Sequence, residues 1–158
     1  MTGTTEERLR RVEDILAIKD LRARYAHAAN MIKGRSGDNK VFASLFAEDG
    51  TFDPGMGSAT GPAAIEAMMD KLTTQWQSAV HHMLNSVIEV DGDTATGTIN
   101  GLMVFTKKDD PTPIWLSNIY NDTYVRTAAG WRFKLVTITD IFAQPAFFEA
   151  YAEFAAGN

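Results

Sequence analysis

The chain has 158 residues, 45% hydrophobic and 22% charged, with a formal net charge of −5. That is the balance of a single globular domain long enough to bury a core unaided. An acidic surface argues against nucleic acid or an anionic membrane as partner, and a chain without cysteine excludes disulfides, thiolate zinc sites, iron–sulfur clusters and a thiol nucleophile.

Residues 1–5 read as a loose terminus, and Arg10-Arg11 is followed by Val12-Glu13-Asp14 rather than by an apolar run, so the cytoplasm is the expected location. Asn121-Asp122-Thr123 matches the glycosylation pattern by chance, and no stretch reaches transmembrane length. From Thr5 to about Ile32, Val12, Ile15, Ile18, Leu21, Tyr25, Ala28 and Ile32 recur at helical steps. Thr5 and Arg8 do not form a capping box, although Glu6 and Glu7 suit a helix start. Lys33 to Asp38 is a break, and a short helix is expected over Asn39–Phe46. Glu48-Asp49-Gly50 reads as a turn into a short strand, Thr51–Asp53, then a glycine-rich loop runs from Pro54 to Gly61. Pro62 suits a first helical turn, and Ala63–Trp76 reads as helix.

The rest is mostly strand: Ala79–Val90, a hairpin turn at Asp91-Gly92-Asp93, then Thr94–Thr106. A polar loop, Lys107–Pro113, leads to Ile114–Thr127, a turn at Ala128-Ala129-Gly130, and a last strand, Trp131–Ile141. Pro145 opens a helix over 145–158 carrying Phe147 and Phe148, which could close a pocket or pack between subunits. Helices grouped ahead of an antiparallel meander mean an α+β domain. Four long strands should curl, and helices across the mouth would enclose a cone. Residues 1–158 are read as one domain, with the sheet drawn from 79–141.

Four segments, in order, resemble the SnoaL-like family of the nuclear transport factor 2-like superfamily. They are Arg24-Tyr25-Ala26-His27-Ala28-Ala29 with Leu45–Phe52, Gly61-Pro62-Ala63-Ala64-Ile65, His81 with Asn85 and Val90–Ala95, and Tyr120–Arg126 with Gly130-Trp131-Arg132-Phe133. The resemblance spans roughly residues 8–142. It implies a cone-shaped α+β barrel, with a strongly bent, mostly antiparallel sheet and N-terminal helices around an apolar pocket. It also implies acid–base chemistry on an apolar small molecule without cofactor or metal, as in scytalone dehydratase and related lyases and isomerases. The family includes non-catalytic binding proteins and accessory subunits as well, so fold leaves function open.

His81 stands where dehydratase-type relatives carry a general base, a role suited to a pKa near neutrality. His82 must face the other side of the strand, as a packed or interface histidine. Asn30 stands where many relatives carry an aspartate paired with that histidine. Either another carboxylate (Asp53, Asp122 or Asp140) substitutes, or the His–Asp mechanism is not used and Asn30 meets the substrate or an oxyanion. Tyr25 and Asn30 share a pocket only if the helix ends or bends near Ala29. Tyr25 reads either as a core tyrosine or as a donor to a substrate carbonyl. Asn118, Tyr120 and Asp122 alternate on one strand face, as a pocket wall or a solvated surface, with Trp115 opposite. Phe52, Met56, Met103 and Phe105 are the expected apolar lining. No metal-ligand cluster accompanies the histidines, and Gly55, Gly57 and Gly61 do not make a phosphate loop. The expectation is a cofactor-independent lyase or isomerase acting on an apolar, ring-containing molecule. The alternative is a non-catalytic binder or subunit. Strands apolar on both faces imply a homo-oligomer, a dimer through the outer sheet face.

Overall fold

The first helix, α1 (Thr5–Ala29), begins at a capping box one residue ahead of the pair considered in the sequence. Thr4 Oγ1 accepts from the Glu7 amide at 3.2 Å, and Glu7 Oε2 accepts from the Thr4 amide at 2.7 Å. The structure, a computed structural model, describes residues 3–32 and 37–144, without the side chains of Asp140 and Ile141. The segment from Pro145, with Phe147 and Phe148, lies outside the described residues.

Helix α1 ends three residues earlier than the apolar periodicity suggests. Asn30 turns to an extended conformation (φ −66°, ψ 138°) while its N–H still bonds the Ala26 carbonyl. Met31 then leaves the helix and exchanges two backbone hydrogen bonds with Ala79, at 2.8 and 3.1 Å. Ile18, Leu21, Tyr25 and Ala28 are buried as expected, but Val12 is 52% exposed and Ile32 is 64% exposed. The apolar face thus meets the core only from its second half onward.

Helix α2 (Asn39–Ser44) is capped by the Asp38 carboxylate, which accepts from the Val41 amide at 2.8 Å. It stops short of the expected Phe46, because that residue opens strand β1 (Phe46–Asp53). The Leu45 carbonyl already accepts from Phe133 there, and Glu48-Asp49-Gly50 is absorbed as an irregularity in the strand rather than a turn before it. A two-residue strand, β2 (Ala59–Thr60), lies inside the segment read as loop. Helix α3 (Pro62–Leu72) ends before Trp76, which opens β3 (Trp76–Asp91). Strands β4 (Thr94–Lys107), β5 (Ile114–Thr127) and β6 (Gly130–Ala143) complete the meander.

The sheet order is β2-β1-β6-β5-β4-β3. Only the β1–β6 pair is parallel among these, so the sheet reaches beyond 79–141. This is the curved, mostly antiparallel α+β cone of the expectation. Its inner face carries Ala95, Gly97, Ile99, Gly101, Met103 and Phe105 from β4, and Leu116, Asn118, Tyr120, Asp122 and Tyr124 from β5, all buried. In β3 the alternation changes parity at a register shift between Leu84 and Val87, where Asn85 takes φ 50°. Ile88 therefore packs on the core, whereas strict alternation would have left it beside Val80 and Leu84. Arg126 ties α1 to the β5–β6 hairpin: it forks onto Asp14 at 2.8 and 2.7 Å and lies 4.4 Å above the Trp131 ring. Trp131 Nε1 donates to the same Asp14 at 3.1 Å.

Candidate active site

The inner face of the cone encloses a cavity of about 90 Å³, walled by α1, α3 and the inner residues of β1 and β3–β6. Tyr25, Phe52, Met56, His81, Met103, Phe105, Asn118 and Tyr120 all line it. Among the described residues no Asp, Glu, Lys or Arg does. Asn30 is not on the wall; it stands behind His81.

The register Ala79↔Phe105, His81↔Met103 puts His81 on the inner face, and His82↔Leu102 puts His82 on the exposed outer one. Ending α1 at Ala29 brings Asn30 to this strand. Its Oδ1 accepts from the His81 backbone N–H at 2.8 Å and lies 3.1 Å from His81 Nδ1. A backbone N–H can only donate, so this amide atom is the oxygen, and Nδ1 must carry the proton it shares. Nε2 is then the free lone pair. Burial, with the charges of His82 and Arg22 adding to it, pushes the imidazole down to about 4. Among the described residues no carboxylate hydrogen-bonds to His81. Asp53 accepts from the Gly55 amide at 2.9 Å. Asp122 is held by Arg22 and by the Tyr124 hydroxyl, the latter at 2.6 Å. Asp140 stands opposite Asn118 in register, but its side chain lies outside the described residues.

Tyr25 and Tyr120 meet edge to face, with centroids 5.9 Å apart at 81°. Burial holds the Tyr25 phenol well above its ordinary pKa and pushes Tyr120 up to about 12, the nearby Arg22 opposing the rise in both. Asn118 is 1% exposed, and neither amide atom has a hydrogen-bond partner among the described residues. Gly101 makes room for it, since a Cβ there would stand 2.2 Å from Asn118 Oδ1.

Arg22 is the group that sequence reasoning missed. It is 3% exposed, paired with the buried Asp122, and lies over the rings of Tyr25, Tyr120 and Phe133. The signal was available: Arg22 sits three positions before Tyr25 and four after Ile18, on the stripe that packs into the core. Among the described residues no group of histidine and acidic side chains is arranged to hold a metal ion. No described helix is long and apolar enough to cross a membrane.

Residues 10–137 match the family model of the SnoaL-like domain. No curated protein matches the chain. Among solved structures, one from Novosphingobium aromaticivorans, titled as a candidate aromatic ring hydroxylase, is 25% identical, with 88% of this chain and 97% of that one covered and a TM-score of 0.78. A second from Novosphingobium aromaticivorans, titled as a candidate scytalone dehydratase, is 20% identical, over 89% and 91% of the two chains, with a TM-score of 0.70. The hexachlorocyclohexane dehydrochlorinase LinA-type3 of Novosphingobium barchaimii is 21% identical, over 87% and 92%, with a TM-score of 0.75. The three proteins are named for three different reactions on one fold.

Proposed function

The chain belongs to the SnoaL-like domain family, and from that premise we propose that it is a cofactor-independent acid–base enzyme, a lyase or isomerase acting on an uncharged, ring-containing small molecule. The observation that carries this is His81: a neutral imidazole on the wall of an apolar cavity, with Nδ1 committed to Asn30 and Nε2 left to take a proton. Tyr25 and Tyr120 supply the hydroxyls that would hold the substrate's oxygen as negative charge develops on it. Phe52, Met56, Met103 and Phe105 supply the apolar seat, and Asn118 a polar contact. A cavity without an ionised side chain disfavours phosphates, carboxylates and amines as substrates. The dehydrochlorinase and the candidate dehydratase among the structural neighbours agree with elimination chemistry of this kind.

In this reading Asn30 is a positioning residue. Its side chain is engaged by His81, which disfavours the direct substrate contact considered from the sequence. The same asparagine carries the second reading, a non-catalytic binder or subunit, since it leaves the imidazolium without a counter-charge. The separating experiment is turnover of a panel of uncharged cyclic ketones and alcohols by wild type and His81→Ala. A loss of at least the ~10²-fold typical of general acid–base catalysis is expected, with an unchanged melting temperature. Ligands that bind the cavity yet are never converted would favour the binder. A homodimer through the outer sheet face is proposed alongside.

A further inference from the structure

Arg22 is a charge in the middle of an apolar core, and its contacts are unusual for one. Its guanidinium carbon lies 4.3 Å from the Tyr25 ring centroid, 4.7 Å from that of Tyr120 and 4.6 Å from that of Phe133. Nη2 donates to Asp122, whereas Nε and Nη1 have no acceptor among the described residues. Three aromatic rings pack closely around the guanidinium instead. Stability does not account for such a group, because buried ion pairs replaced by apolar residues of like volume commonly give proteins as stable or more so. Nor does Arg22 touch the cavity that His81 faces; it borders a separate hollow beside Lys19, Met83 and Ile88, where its Nε and Nη1 are nonetheless buried.

We propose that Arg22 is a positioning residue that acts through the two tyrosines, its charge against their ring faces making Tyr25 and Tyr120 strong, fixed hydrogen-bond donors to an oxyanion formed on a neutral substrate. A cation over a ring is held by the π electrons, and its attraction grows as the phenol shifts its proton outward and the ring gains electron density. Each tyrosine is buried, which alone would weaken its phenol as a donor by disfavouring the charged form; Arg22 works against that in both. Asp122, itself held by the Tyr124 hydroxyl, anchors the guanidinium, so one cation serves both rings. The substrate class narrows with it: a ring compound whose carbonyl or ring-hydroxyl oxygen faces the tyrosines. This inference rests on the cavity being the reacting site.

The probe is para-nitrophenol, whose ionised form is read by its own absorbance, so the bound ligand reports how well the site holds an oxyanion. Wild type is compared with Arg22→Met/Asp122→Asn, which leaves no buried charge without its partner; circular dichroism and thermal melting check that it folds. The ratio of bound phenolate to phenol at fixed pH is expected to fall about tenfold in the variant, one pKa unit. The fall should vanish when the same pair is changed in a Tyr25→Phe/Tyr120→Phe background. An equal ratio in wild type and folded variant overturns the proposal, and so does a fall that persists without the tyrosine hydroxyls. A wild-type cavity that takes up no nitrophenol overturns it too, since donors built for a ring oxygen must accept this one. Should the double variant not fold, Arg22→Lys decides, because an ammonium gathers the charge at one point and gives up the broad guanidinium that contacts both rings; a several-fold fall is expected there, and an unchanged ratio overturns the proposal. The readout is a binding equilibrium, so it stands apart from whether His81 converts any substrate.

Discussion

At the scale of single residues the unusual pairing is a histidine with an asparagine. An aspartate in place of Asn30 would accept the same two hydrogen bonds and add a charge that favours the imidazolium. Asn30→Asp is therefore expected to raise the His81 pKa by one unit or more, read by NMR titration of the ring protons. The acid limb of the activity profile should move upward with it, from near the wild-type value of about 4. Turnover should rise if proton uptake by His81 limits the reaction; a fall would return Asn30 to the substrate or its oxyanion. The low His81 pKa also has a stability signature. The unfolded chain binds a proton near the ordinary 6.5, the folded one only near 4, so below 6.5 the unfolded state holds more protons. Stability is full above that pH and falls as pH drops through the window, by about 2 kcal/mol at pH 5. Urea unfolding at pH 7 and pH 5 measures it, and His81→Gln should lose most of the difference. His81, Tyr25 and Tyr120 were legible in the sequence as residue types in a recognisable order. The partner of His81 was legible only as alternatives, Asn30 or one of Asp53, Asp122 and Asp140, because the choice depends on where one helix stops.

At the scale of elements, the stop after Ala29 is the decisive event. Three more helical residues would have carried Asn30 round the helix and away from β3; the bridge from Met31 to Ala79 brings it in instead. Apolar periodicity alone could not show this, since Ile32 continues the pattern and is nonetheless exposed. The strand ends were misjudged for a related reason. Phe46 and Trp76 suit a helix or a strand equally well, and pairing with β6 and β4 decided for strand. Strand β4 carries a testable consequence. Gly101 lies under Asn118 and Tyr120, and a methyl there would come within 2.2 Å of one and 2.7 Å of the other. Gly101→Ala must push both side chains toward the cavity. A loss of about 1–3 kcal/mol is expected from overpacking, together with weakened nitrophenol binding. Unaltered binding would mean that Asn118 and Tyr120 do not shape the cavity.

At the scale of the whole molecule, the α+β class and the cone followed from the order of elements and the length of four strands. Strand β1 and its parallel pairing with β6 did not, because a long-range parallel contact leaves no local pattern. The same strand lengths bear on assembly. On the outer face, cross-strand register aligns Val80, Val104 and Trp115 in one row and Leu102, Ser117 and Phe142 in the next. Leu84, Trp115 and Phe142 are 44%, 44% and 56% exposed, with Val80, Leu102, Val104 and Ile119 half-buried around them. The cavity occupies the opposite face, where the helices pack. Four adjoining strands thus present one apolar surface to solvent, of the sort that marks an interface rather than scattered exposure. A second copy meeting it by twofold symmetry would cover both surfaces with one contact. Sedimentation velocity at tens of micromolar should show a dimer, and Trp115→Glu with Leu84→Glu should yield a monomer by placing like charges in the contact. Because both side chains point away from the cavity, the monomeric variant should still bind nitrophenol. A wild-type monomer at that concentration would sink the dimer, and loss of nitrophenol binding in a folded monomer would mean that the outer face supports the site itself.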